Sequence, residues 1–155
     1  MANTYSQIYI QTVFAVQGRQ NLVAREHKEE LHKYNTGIVM NQGDKLLATH
    51  CMPDHIHILI GFRPAKALSY LMREVKADSC NFINDKKWVC GRFSWQEGSG
   101  AFSYGHSQLT SIIRYIRNQE QHHLKKSFRD EYLQFLKRFD VNYDPKYLFD
   151  CQKSQ

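Results

Sequence analysis

The chain has 155 residues, 42% hydrophobic and 13% aromatic, with 21 Lys and Arg against 15 Asp and Glu for a net charge of +6. That length suffices to bury the core of one ordinary domain, and the low Gly and Pro content excludes a low-complexity or disordered polymer. No apolar run approaches the roughly 18 residues needed to span a bilayer, and the opening MANTYSQIYIQTVF lacks a signal-peptide layout, so a cytoplasmic protein is expected.

In chain order, residues 5–16 alternate polar with Tyr, Ile, Val and Phe and predict a strand. Arg25 to about Met40 is charged early, carries Leu31, Tyr34, Ile38 and Val39 near helical spacing, and predicts a helix. Gly43-Asp44 then turns the chain into KLLATHCM, and Pro53-Asp54 turns it again into HIHILIGF, which predicts a hairpin. A second helix, ALSYLMREVKADSCNFI, follows Pro64 with an approximate apolar stripe. The aromatic segment RFSWQEGSGAFSYG predicts a fourth strand region, bent at Gly98 and Gly100. This order, β-α-β-β-α-β, predicts an α+β, ferredoxin-like antiparallel sheet with helices packed on one face. Two additional C-terminal helices are expected, HSQLTSIIRYIRNQEQHH and, behind a Ser127 cap, FRDEYLQFLKRF.

Cys51, Cys80, Cys90 and Cys151 stand far apart with no C-x-x-C pair, and read as reduced thiols. The positive charge concentrates between Arg63 and Arg92, where seven basic residues face three acidic ones. That stretch reads either as a footprint for a polyanion or as a solvated helix face. Trp88, Phe93 and Trp95 interleave with it as stacking platforms for bases or, for Phe93 and Trp95 on one strand face, as core.

Residues i and i+2 of a strand share a face, so His55 and His57 project together from the third strand. Two adjacent imidazoles repel when both are charged, so a shared cation or phosphate is one reason for the pair; a hairpin cap beside a half-exposed strand residue is the other. Asp54 reads as an outer partner for one imidazole or as a routine turn residue. On the late helix, Tyr115 and Gln119 border an apolar arc of Leu109, Ile112, Ile113 and Ile116, where a side chain can reach from a packed helix into a cleft.

The segments MPDHIHILI, SWQEGSGAFSYGHSQLTSIIRYIRNQEQHH and YDPKYLFD resemble the single-tyrosine HUH transposases of bacterial insertion sequences, including the tyrosine transposases associated with repetitive extragenic palindromes (REP). The likeness spans nearly the whole chain as one domain, 1–155, with the tyrosine helix and its successor at roughly 106–140. Its most specific parts are His-x-His on the third strand and Tyr-x-x-x-Gln on the late helix. The resemblance implies that Tyr115 is the nucleophile and that His55, His57 and Gln119 hold a divalent cation, Mg²⁺ or Mn²⁺. It also implies cleavage and rejoining of single-stranded DNA at hairpin-flanked ends through a covalent 5′-phosphotyrosine, by a homodimer whose sites can be shared between subunits. On that reading Arg73, Lys76, Lys86, Lys87 and Arg92 are candidates for hairpin phosphates. The rival readings are a non-catalytic nucleic-acid-binding module of the same fold and a metal-dependent phosphohydrolase. A histidine-triad version of the latter is disfavoured by Leu59.

Overall fold

The computed structural model describes residues 5–148. Phe149 and Asp150 of the YDPKYLFD segment, Cys151 and the first four residues of the opening segment lie outside the described residues. Strands β1 (Ile8–Ala15), β2 (Lys45–Met52), β3 (His55–Phe62) and β4 (Gly100–Tyr104) form one antiparallel sheet in the order β2-β3-β1-β4. Helices α1 (Lys28–Asn41) and α2 (Leu68–Asp85) make the crossovers. The fold is therefore α+β and ferredoxin-like. The central strand β3 alternates its side chains between two buried faces, which accounts for its near-continuous apolar run. Ile56, Ile58 and Ile60 meet α1 and α2 in one core with Phe14, Leu31, Val75 and Phe93. His55, His57 and Leu59 point the other way, toward a second core built with Val13, Phe102, Ile116 and Phe135.

Several boundaries differ from the sequence expectation. The fourth strand is only Gly100–Tyr104; upstream, Trp95 forms an isolated bridge to Val16 before the chain turns through Gly98 at φ +79°. Phe93 and Trp95 are core residues, packed edge to face at 4.8 Å. The expected helix 106–123 is divided: a 3₁₀ turn over His106–Gln108 leads into α3 (Leu109–Arg117), and a short α4 (Gln119–His122) follows Asn118, whose ψ of 21° breaks the helix. Asn is a weak helix former that tolerates such a junction. Helix α5 (Phe128–Arg138) starts where Ser127 predicts, its Oγ accepting from Asp130 N at 3.2 Å. Helices α3 to α5 cover the sheet face opposite α1 and α2. Cys51, Cys80 and Cys90 are free thiols.

His32 of α1 ties that helix to the sheet by accepting the Cys51 backbone N–H on Nε2 at 2.9 Å, so the ring must stay neutral at that nitrogen. Burial, with the Lys28 ammonium nearby, lowers its pKa to about 4, and the same two causes lower His50 to about 4. Both folded values lie below the unfolded value of 6.5, so the unfolded chain binds more protons between those limits. Stability is expected to be fully present above pH 6.5 and to fall as pH drops toward 4, by no more than about 1.4 kcal/mol per pH unit for each group. Urea midpoints at pH 7 and pH 5 check this, and His32→Gln should flatten the decline.

Candidate metal and phosphoryl-transfer site

The site lies between β3, the α3–α4 junction and α5. His55 and His57 are essentially inaccessible to solvent, with ring centroids 5.2 Å apart. Each has its outer nitrogen held. His55 Nδ1 donates to Asp54 Oδ1 at 2.6 Å, which places Asp54 beside the pair as an outer partner. His57 Nδ1 lies 2.8 Å from Gln11 Oε1; because Gln11 Nε2 donates to the Tyr104 hydroxyl at 2.8 Å, its oxygen is left to accept from the imidazole. His123, just beyond α4, donates from Nδ1 to the Lys126 carbonyl at 2.7 Å. The three Nε2 atoms are thereby turned toward one point, the arrangement that outer hydrogen bonds impose on metal-ligating histidines.

Glu131 of α5 occupies that point. Its Oε1 lies 2.9 Å from His57 Nε2, 3.2 Å from His123 Nε2 and 3.7 Å from His55 Nε2. Its Oε2 accepts from Gln119 Nε2 at 3.1 Å and from the Tyr115 hydroxyl. Gln119 is fully buried, and its Oε1 faces His123 Nε2 at 2.9 Å and His55 Nε2 at 3.4 Å. Tyr115, His55, His57 and Gln119 therefore converge within one chain. Their donor set, with His123 and Glu131, suits a divalent ion: ligand atoms of His55, His57, His123 and Glu131 all lie within 4.8 Å of one another, and imidazole, carboxylate and carboxamide oxygen are borderline-to-hard ligands.

The electrostatics follow from burial and contact. Burial works to raise the Glu131 pKa, yet hydrogen bonds from His123 and His57 prevail and hold its carboxyl far below the usual range. Burial and the adjacent Glu131 charge push the Tyr115 phenol well above its ordinary value, so it is protonated in this state. Burial lowers His55 despite Asp54, whereas for His123 the Glu131 hydrogen bond outweighs burial and raises it. His122 is half-buried, and its Nε2 lies 3.9 Å from Glu131 Oε2.

Sequence reasoning did not single out Glu131, His123 or Gln11. A signal exists for the first: Glu131 falls at helical spacing between Phe128 and Phe135, which puts a carboxylate on an apolar stripe, where it must have partners. Gln11 shares an inward strand face with Tyr9 and Val13 in the same way.

The basic candidates lie elsewhere. Arg73, Lys76, Lys86, Lys87 and Arg92 belong to α2 and the loop after it, on the α1–α2 side of the sheet, away from the histidine pair. Lys76 donates to the Gln96 and Gly98 carbonyls, Lys86 pairs with Glu30 at 3.2 Å, and Arg73 lies over the Tyr70 ring. Cations near Tyr115 are different residues: Arg138 lines a cleft of about 410 Å³ that contains Tyr115 and Glu131, and Arg114, Lys125 and Lys126 line an open groove that shares Tyr115 and His122. Glu120 of α4 binds Lys28 and, at 3.0 Å, Arg25, fastening α4 to the start of α1.

A four-stranded ferredoxin-like sheet with an inward His-x-His and a helix-borne tyrosine places the chain among α+β proteins whose arrangement resembles the single-tyrosine HUH transposases. Residues 4–119 match the profile of the IS200-like transposases, and the chain belongs to that family. Among solved structures it is similar to a candidate transposase from Deinococcus radiodurans R1, with 20% identity, a TM-score of 0.62, and coverage of 77% of this chain and 95% of that one. It is also similar to a REP-associated tyrosine transposase bound to a REP hairpin, with 15% identity, a TM-score of 0.57, and coverage of 79% and 74%. At these identities both likenesses speak to the fold. No curated protein matches the chain. No helix among the described residues is long and apolar enough to cross a membrane.

Proposed function

We propose that this transposase cleaves and rejoins single-stranded DNA by transesterification at Tyr115. The observation that carries the reading is the meeting of Tyr115, Gln119 and three inward Nε2 atoms on the two oxygens of Glu131. His55, His57 and Gln119 would hold a divalent cation, Mg²⁺ or Mn²⁺, with His123 and Glu131 in the same donor set. Bound there, such an ion would withdraw charge from a nonbridging phosphate oxygen and stabilise the developing pentacoordinate phosphorus.

The chain's own residues perform the rest. The Tyr115 oxygen attacks phosphorus, the bond from phosphorus to the 3′ oxygen breaks, and the phosphate is left on tyrosine at the 5′ end of one strand. The departing 3′ oxygen takes up a proton, and the phenol loses one. Glu131 Oε2 accepts the phenolic hydrogen bond, which positions the hydroxyl beside the metal-ligand cluster. Because the phosphodiester is exchanged and not hydrolysed, a second 3′ hydroxyl can reverse the step without another energy source. Arg114, Lys125, Lys126 and Arg138 flank the phenol and suit the phosphates around the cut. Arg73, Lys76, Lys86, Lys87 and Arg92, beyond the sheet, would meet hairpin phosphates farther along the strand. The hairpin bound by the REP-associated relative supports a hairpin substrate here as well, and the family resemblance supports a homodimer acting in the cytoplasm.

Incubating the protein with labelled single-stranded hairpin ends and Mn²⁺ should give a protein–DNA band that survives denaturation and disappears with EDTA. Binding without any covalent band would favour the nucleic-acid-binding module, and free cleaved products would favour the phosphohydrolase. Metal binding has a separate readout. At a hundredfold excess of Mn²⁺ over its Kd, the folded state should gain about 2.7 kcal/mol, raising Tm by roughly 5–10 °C. Substituting His55→Gln should reduce that rise sharply in a thermal melt.

A further inference from the structure

A second cavity, about 300 Å³, opens where the Gln96–Gly100 loop, α5 and the C-terminal turn meet. It lies across α5 from the Tyr115 cleft: Glu131 and Phe135 face that cleft, while Phe128, Tyr132 and Leu136 face this cavity. One wall is shared with the metal cluster, because the Phe128 ring stacks on His55 at 4.1 Å. Gly100 lets the strand approach α5 closely here, since a Cβ there would come within 2.9 Å of the Tyr132 ring.

Three features identify what would enter. The described lining residues include Glu97 and Asp144 but no Lys or Arg, unlike the groove and cleft around Tyr115, so a phosphate is disfavoured. Tyr143 and Tyr147 stand at the lining with 49% and 83% of their surface exposed, available to stack on a planar ring. Gln96 is 8% exposed; its Nε2 has only a long contact to the Leu148 carbonyl, at 3.4 Å, and its sheltered Oε1 has no partner among the described residues. A sheltered acceptor without a donor is costly, and a ligand N–H would relieve it.

We infer that this cavity is a subsite for an unpaired nucleobase bearing an exocyclic amino group, stacked by Tyr143 and Tyr147 and read by Gln96 Oε1. The inference rests on the single-stranded DNA reading above and extends it: phosphates would follow the basic groove while a base near the cut is received on the far side of α5. Thymine carries a carbonyl at C4 where cytosine carries the amine, so it presents no exocyclic donor, only the ring N3–H, and would be disfavoured by an acceptor placed to meet an exocyclic amine.

Fluorescence anisotropy with short labelled oligo(dC) and oligo(dT), at one fixed salt concentration, tests it. Wild-type protein should bind oligo(dC) about tenfold more tightly than oligo(dT), the value of one recovered hydrogen bond. Substituting Gln96→Leu should erase the preference while leaving oligo(dT) affinity unchanged. Tyr147→Ala, at an exposed position that folding does not require, should weaken both by about fivefold or more. Equal affinities in the wild type, or a preference that survives Gln96→Leu, overturn the subsite and leave the strand-cleavage reading standing. Failure of the wild type to bind either oligonucleotide also overturns the subsite, while the adduct assay on hairpin ends decides the strand-cleavage reading separately.

Discussion

Glu131→Ala is expected to destabilise the metal-free protein by about 3–5 kcal/mol, because it removes the acceptor shared by several buried groups. His57 and His123 lose the carboxylate at 2.9 and 3.2 Å, and the Gln119 amide and Tyr115 hydroxyl lose theirs as well. His57 and Gln119 are fully buried and Glu131 itself is 1% exposed, so water does not readily replace the carboxylate for them, whereas His123 and Tyr115 are half-buried. For a chain of this size the loss corresponds to a Tm lower by roughly 6–20 °C. Glu131→Gln, which keeps the volume and one oxygen, should cost less. Thermal melts in EDTA measure both, and an alanine variant as stable as the wild type would show that the carboxylate is not the hub of the site.

Tyr115→Phe is expected to abolish the covalent adduct, with strand cleavage falling by on the order of a thousandfold or more, since no other hydroxyl replaces the nucleophile. The phenol is half-buried, its ring packs against His122 and Phe135, and phenylalanine preserves those contacts. Hairpin binding should therefore remain within about twofold of wild type, because the phosphate contacts supply most of the affinity. The variant loses the hydrogen bond to Glu131 as well, a difference of about 1 kcal/mol in stability. A quantitative adduct gel beside an anisotropy titration separates the two effects, and an adduct that persists in the variant would remove Tyr115 from its proposed role.

The two predictions draw on residues of different legibility. Periodicity placed His55 with His57 on one strand face and Tyr115 with Gln119 on one helix border, i and i+2 and i and i+4, and the family resemblance joined the two pairs into one candidate site. The order of strands and helices could be read for a related reason, since turn signals at Gly43-Asp44 and Pro53-Asp54 separate segments of unlike period. The division of one expected helix at Asn118 could not, because an Asn within a helical pattern is compatible with continuation and with a break.

By itself, then, the sequence determined the α+β order and the strand face that His55 and His57 share, because local periodicity carries that information; the part given to the Tyr115 helix rests on the family resemblance. Only the tertiary structure decided that α5 crosses the pair and delivers Glu131, that Gln11 orients the His57 imidazole, and that the central basic residues lie on the opposite side of the sheet from the phenol. Those facts depend on contacts such as His57 with Glu131, between residues far apart in the chain, and neither residue's neighbours encode the other's position.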